Sequence, residues 1–472
     1  MKRFAGLLIF CLLLMSMSLT ACDKESDSTI YPSVSPTEVA KDEDNDEATI
    51  TETPNKNVIN VFSQTDEVPN MLNKYKELNP DFPYEIKMVT FATVDGDFHV
   101  FLDEFLKRGG ESIPDIYCVE SSRVPKYSKD SDSKYAIPYK ELGIDVDNLI
   151  IEADIAQYVI DMGTNPEGEI VSLAHRGTGG AFIYRRSIAK NVWGTDDPEV
   201  IKDKIGPGWD KFFEAADELR DKGYGIVSGD GDIWHSIFNS AEKPWIVDGK
   251  LYIDPKREAF LDYAKLLKDN GYSNNTKDWT EEWYADMEGK GEKEIFGFFG
   301  PSWFINYIMM SNYGSNKIGE GTYGDWAVCE PPEGFFWGGT WIYVNKDSRH
   351  KEAIAEIIKW LTLDSSESGL QYKWANGLLK IFGNDKFEAV ASGTVMNKSV
   401  GELDFIGNQN IFDVFGKAAK LANGNVLTQY DDFINSLWRE QVREYVEGNK
   451  TRDQAIEDFK ETVKDRLDIP ID

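Results

Sequence analysis

Three features of the chain predict an α/β fold with helices prominent in its second half. From residue 57 onward, short β-branched runs alternate with segments of helical apolar spacing. That is the pattern of a parallel sheet joined by crossovers. The last stretch is helical, opened by the capping box "TRDQ" at Thr451–Gln454. The composition, 41% hydrophobic and 13% aromatic in 472 residues, is that of a folded protein with material for more than one core. The length corresponds to roughly two to three domains.

"NVINVFS" (Asn57–Ser63) is the first strand. In "DEVPNMLNKYKELNPD", Val68, Met71, Leu72, Tyr75 and Leu78 recur at helical spacing, Asp66 is placed as N-cap, and Asn79-Pro80 stops the helix. "YEIKMVTF" (Tyr84–Phe91) is a second strand, a helix follows around Val100–Lys107, and "PDIYCVES" (Pro114–Ser121) is a third strand. "EIVSLAHRG" and "GAFIYRRS" are strands flanking "TGG" at Thr178–Gly180. "WDKFFEAADELRDKGYGIVSG" reads as a helix ended by Gly223 and then a strand. "EIFGFFGPSW" (Glu294–Trp303) and "DWAVCEPP" (Asp325–Pro332) are later strands, and "KEAIAEIIKWLTL" is a periodic helix. In the final helix Ala455, Ile456, Phe459, Val463 and Leu467 line one face. No internal repeat is present.

The stretch "EGFFWGGTWIYVN" (Glu333–Asn345) divides in two. Phe335 and Phe336 belong to a connection, while Trp341 to Val344 form a strand with one core face. Trp337, Gly338 and Gly339 are left over. Glycine in a strand marks a place where a ligand or another backbone comes close.

The N-terminus carries its own signal. Lys2 and Arg3 precede an apolar run from Phe4 to about Met15, too short to span a bilayer and suited to a signal-peptide h-region. "LTAC" (Leu19–Cys22) resembles the bacterial lipoprotein signal, which implies cleavage before Cys22 and lipidation of its thiol. Residues 23 to about 57 are polar and acidic, with "KDEDNDE" at Lys41–Glu47 the extreme. Such a segment cannot bury enough surface to fold and is expected to be a solvated tether. Of four cysteines, Cys11 leaves with the signal and Cys22 takes the lipid. Cys118 and Cys329 sit in apolar runs and are expected as buried free thiols.

The net charge of −31 argues against a nucleic-acid partner. The four histidines show no metal-ligand spacing, "GPG" and "RGTGGA" fail the phosphate-loop and dinucleotide patterns, and no GxSxG elbow occurs. No catalytic constellation, cofactor motif or metal site is expected.

Taken in order, the motifs resemble a known family. They run from the lipobox and tether through "KELNPD", "PDIYCVES", "YAIPYKELGID", "GGAFIYRRSIAKNVWG", "WDKFFEAADELRDKGY" and "GPSW" to "GDWAVCEPPEG…WGGTWIYVNKDSRHKEAIAEIIKWL" and "YVEGNKTRDQAIEDFKETV". The chain resembles the extracellular solute-binding lipoproteins of carbohydrate ABC transporters, the maltose-binding-protein class, over about residues 57 to 468. The resemblance implies a two-lobed periplasmic-binding-protein-like fold of type II, with a ligand cleft between discontinuous lobes. Mapped onto this sequence, the signal peptide is 1–21, the tether 22–56, lobe one 57–177 with 331–390, and lobe two 178–330 with 391–472. Crossings would fall near Gly177–Gly180, Glu330–Pro332 and Ser392–Thr394. The implied partners are an oligosaccharide and separate permease subunits in the cytoplasmic membrane. The implied protein is a monomer, anchored by the lipid on Cys22 to the outer face of that membrane.

Ligands of open α/β sheets bind beyond the carboxyl ends of strands. That rule selects Asp66, Glu67, Glu120, Ser121, Arg176, Trp303, Trp337, Gly338 and Gly339, with Gln409 from "GNQN" in the C-terminal part. The chemistry suits sugars, because hydroxyls both donate and accept and a pyranose face stacks on an indole. Covering about 100 Å² of apolar surface contributes roughly 2.5 kcal/mol at ~25 cal/mol per Å², before ordering costs. Each candidate has a structural alternative. Asp66 serves as an N-cap, and Arg176 and Glu120 pair with other charges. Trp209, Trp360 and Trp438 are core, and Trp234, Trp341 and Trp374 are placed with them rather than at the ligand. Two rival functions stay open on sequence alone: a surface-anchored glycoside hydrolase, and the same fold binding a non-carbohydrate solute.

Overall fold

A computed structural model describes residues 57–90, 97–110, 113–315, 317, 320–381 and 387–471. The expected signal peptide, Cys22 and the acidic tether lie outside these residues. In chain order the strands of interest are β1 (Val58–Ser63), β2 (Glu85–Thr90), β3 (Ile116–Glu120), β4 (Ser172–Ala174) and β5 (Ala181–Arg185). A small hairpin, β6 (Ile246–Val247) and β7 (Lys250–Leu251), precedes β8 (Gly297–Gly300), β9 (Trp326–Cys329) and β10 (Thr340–Val344).

Two sheets organise the chain. The first has five strands in the order β2-β1-β3-β10-β4, and the second has three in the order β8-β5-β9. Ile59 and Val61 of β1, and Ile116 to Val119 of β3, are buried, as expected for central strands covered on both faces. The all-parallel sheet anticipated from strand–helix alternation is realised only among β1, β2 and β3. β10 runs antiparallel to both β3 and β4, and the second sheet is antiparallel throughout. The reason is connectivity. β10 is entered from β9 of the other sheet, so the chain arrives at the carboxyl edge and runs backward. The strand expected at "YGIVSG" reduces to one bridge, Gly225 with Ile295. The next amide, of Ile226, donates instead to Tyr272 O at 2.7 Å.

The helices follow their apolar stripes. Glu67–Leu78 buries Val68, Met71, Leu72 and Tyr75 and ends at Asn79, whereas Leu78 faces solvent. Asp66 stands at the N-cap position but its side chain makes no cap hydrogen bond. The terminal helix, Arg452–Leu467, has the reciprocal capping box of Thr451 and Gln454 and buries Ala455, Phe459 and Val463. Trp209, Trp360 and Trp438 are buried, as are Trp234, Trp341 and Trp374. Cys118 and Cys329 are buried free thiols on different sheets.

Two segments connect the sheets, 175–180 from β4 to β5 and 330–339 from β9 to β10. They pair with each other: Gly180 N–H donates to Phe335 O at 2.9 Å and Trp337 N–H to Thr178 O at 3.0 Å. On the other flank, Gly177 N–H donates to Ala389 O and Ala391 N–H to His175 O, both at 3.1 Å. Past this point the helix Gly393–Met396 packs on the helices Val146–Ala153 and Leu370–Ala375. Gly179 packs against another backbone, and a Cβ there would lie 2.4 Å from Ala419 N. Gly179→Ala is expected to lower stability by about 1–3 kcal/mol. The urea midpoint reads this, and an unchanged midpoint would show that the crossing yields easily.

Candidate functional site

Strands β1, β3 and β4 point one way and β10 the other. The carboxyl ends of the first three and the entry to β10 therefore lie along one edge of the sheet. Glu67, Glu120, Ser121, Arg176 and the Trp337–Gly339 turn all follow or precede strands at this edge. Ser121 N–H donates to Gly339 O at 3.0 Å, and Thr178 Oγ1 donates to Gly338 O at 2.9 Å. Trp303, which follows β8 of the second sheet, donates its indole N–H to Trp337 O at 3.0 Å. Asp66 lies next to Glu67, half-buried. Gln409 is not part of this group. Its amide oxygen accepts from Val328 N–H at 2.9 Å and its NH2 donates to Val328 O at 2.8 Å, so it clasps the backbone of β9.

Trp337 is the centre of an aromatic cluster. It is half-buried and stacks on His235 with centroids 3.8 Å apart and planes at 15°. Trp303 meets it edge-on at 4.9 Å, and Trp279 at 6.0 Å. Trp279 is 47% exposed and holds φ +64°, an uncommon conformation for a bulky residue. Sequence reasoning missed His235 and Trp279. Trp279 and Trp283 sit four apart like one helix face, yet only Trp283 is core.

The glycines beside Trp337 are explained in part by the turn itself. Gly338 has φ +75° and Gly339 φ +108°, in the region that glycine enters without steric cost. A Cβ on Gly339 would lie 3.1 Å from the Trp341 ring, whereas one on Gly338 meets only the Trp303 indole, at 3.5 Å or more.

Charge at this edge is arranged in pairs. Arg176 is buried, donates to Glu67, and lies over the rings of Trp374 (4.7 Å) and Tyr307 (5.6 Å). His175 Nε2 lies 2.8 Å from the same carboxylate. Burial pushes the Glu67 carboxyl up, but Arg176 and His175 outweigh it and hold its pKa below the usual value. Behind them Glu388 accepts from Ser302 Oγ at 2.8 Å and Asn306 Nδ2 at 2.9 Å. Burial raises its pKa against the pull of Arg176. On the second-sheet side Arg439 holds Asp278 at 2.9 Å. Between the sides, Arg123 reaches Asp432 at 2.8 Å. Glu120 accepts from Ser122 N–H at 2.8 Å and from Ser121 Oγ. Burial still raises its pKa, with Asp432 adding to the effect. No cluster of metal-ligating side chains occurs among the described residues.

Two outcomes are expected. Arg176→Met leaves buried carboxylates without their cation and destabilises the fold by about 3–5 kcal/mol, measurable by denaturant titration; a loss below 1 kcal/mol would show that the carboxyls simply protonate. Glu120 has a folded pKa above its unfolded value, so its contribution to stability is fully present below the unfolded pKa and is lost as pH rises through the folded one. Glu120→Gln should therefore be more stable relative to wild type at pH 7 than at pH 4. An equal difference at the two pH values contradicts this.

A family model described as bacterial extracellular solute-binding protein matches residues 71–367. No curated protein matches the sequence. Among solved structures, an extracellular solute-binding protein of family 1 superposes with a TM-score of 0.70 at 17% identity, covering 85% of this chain and 98% of its own. The galacto-N-biose/lacto-N-biose I-binding protein of an ABC transporter from Bifidobacterium longum, solved with lacto-N-biose, gives 0.63 at 15% identity, covering 88% and 98%. The sugar-binding protein MalE from Xanthomonas citri gives 0.62 at 14%, covering 86% and 96%. These likenesses carry the two-lobed fold with its substrate cleft. With well over half of its length matched by the family model, the chain belongs to the bacterial extracellular solute-binding proteins.

Proposed function

We propose that this protein binds an oligosaccharide in the cleft around Trp337 and delivers it to an ABC importer. The observation that carries the reading is the aromatic cluster of Trp337, Trp303, Trp279 and His235 at the strand-end edge, bordered by Glu120, Ser121 and the Asp278–Arg439 pair. Indole faces cover the apolar face of a pyranose, and the surrounding carboxylates and guanidinium exchange hydrogen bonds with its hydroxyls. The structural neighbours from Bifidobacterium longum and Xanthomonas citri, described as binding sugars, favour the same class of ligand.

In this reading the lobes, about 57–177 with 331–390 and 178–330 with 391–472, close over the sugar by bending the paired segments. The chain binds without turnover and acts as a monomer that docks on separate permease subunits. The basic n-region, the short apolar run and "LTAC" support anchoring by a lipid on Cys22 at the outer face of the cytoplasmic membrane.

Calorimetry against a panel of neutral plant and host oligosaccharides tests the proposal, with micromolar or tighter binding expected for at least one. Binding of peptides or polyamines and of no saccharide would refute the carbohydrate assignment. Trp337→Ala should weaken saccharide binding at least tenfold; unchanged affinity would make Trp337 a packing residue.

A further inference from the structure

The cleft has more acid than base, and the surplus is placed on both of its sides. Each arginine that approaches it is already held by a carboxylate: Arg176 by Glu67, Arg439 by Asp278, and Arg123 by Asp432. Among the described residues Glu120 and Asp230 form no ion pair, nor does Glu388 behind Arg176. Glu120, at the end of β3, accepts from the Ser121 hydroxyl and the Ser122 amide. It is joined to the Trp337 turn through the Ser121–Gly339 hydrogen bond. Asp230, half-buried, opens the helix Asp230–Asn239 that carries His235 against Trp337. Asp278 is packed against Gly231 of the same helix turn, so the Asp278–Arg439 pair stands beside Asp230 as a neutral unit. Arg443 also lies on this side, but it is exposed and forms no ion pair with Asp230. His235 adds no charge, since burial and then Arg439 push its pKa down to about 3. Burial, with Asp278 adding to it, raises the pKa of Asp230 against the pull of Arg439 and Arg443.

We propose that this cleft selects by charge: Glu120 and Asp230, one from each sheet's side of Trp337, admit neutral or amino-bearing saccharides and reject carboxylated ones. A solute hydroxyl or ammonium donates to these carboxylates. A uronate would place a third negative charge between them, in a site where low dielectric strengthens the repulsion, on a protein that already carries −31. The inference rests on the carbohydrate reading of the same cleft.

The test is calorimetry with matched pairs: a neutral oligosaccharide that binds, and its counterpart in which one hydroxymethyl group is a carboxylate. Wild type should bind the acidic member at least tenfold more weakly. The gap should narrow at least threefold in the Glu120→Gln/Asp230→Asn double variant, and again as salt is raised. Equal or tighter binding of the acidic member by wild type overturns the charge selection while leaving the carbohydrate reading in place. Absence of binding by any saccharide, neutral or charged, overturns both. The wild-type comparison decides the matter even where the double variant does not fold.

Discussion

The site depends on one piece of backbone pairing. Residues 175–180 run between 335–337 on one flank and 389–391 on the other, joined by hydrogen bonds of about 3 Å on both sides. This pairing brings the chain back from β9 toward the first sheet and forces β10 to enter at the edge where β1, β3 and β4 end. Without that reversal Trp337, Gly338 and Gly339 would open a strand at the opposite edge, far from Glu67, Glu120 and Arg176. The crossing tolerates no bulk. A Cβ at Gly180 would fall inside the Phe335 ring, 2.0 Å from its nearest atom, so side-chain packing and backbone direction are decided together.

Upon this frame the cleft separates two tasks. Arginines hold carboxylates in pairs: Arg439 with Asp278 and Arg123 with Asp432 at part-exposed positions, and Arg176 with Glu67 in the interior, where the rings of Trp374 and Tyr307 cover the guanidinium. In the carbohydrate reading proposed above, the aromatic faces and the unpaired carboxylates are what remain to meet a solute. His235 shows how closely these tasks are linked. It backs one face of Trp337 at 3.8 Å and, being neutral, supports the ring without adding a cation to the cleft.

Much of the framework was legible in the residues. Ile59, Val61, Ile116, Tyr117 and Val119 are β-branched or aromatic, with the small apolar Cys118 among them, because central strands are covered on both faces. Val68, Met71, Leu72 and Tyr75 repeat at helical spacing because one face is buried. Glu67, Glu120, Arg176 and Trp337 do share one edge of the first sheet, because each stands at an end of a strand that was legible as an apolar run. Other features were not legible. Gln409 looks like a sugar-binding amide in sequence, yet its two polar atoms are occupied by Val328. Trp279 looks like a partner of Trp283 on one helix face, yet it lies outside the helix, before the N-cap Thr280, with φ +64°. Leu78 has core spacing and ends in solvent, in the last turn of its helix.

The chain by itself determined the alternation of strands and helices, the caps, the burial of most tryptophans and the family, because these follow from local periodicity and from motif order. Only the tertiary structure decided the direction of β10, the antiparallel second sheet, the stacking of His235 on Trp337, and which carboxylates find an arginine. Those depend on contacts between residues a hundred or more positions apart, such as Glu67 with Arg176 or Arg123 with Asp432. Local periodicity carries no information about such partners, because they are chosen by how the two sheets are joined.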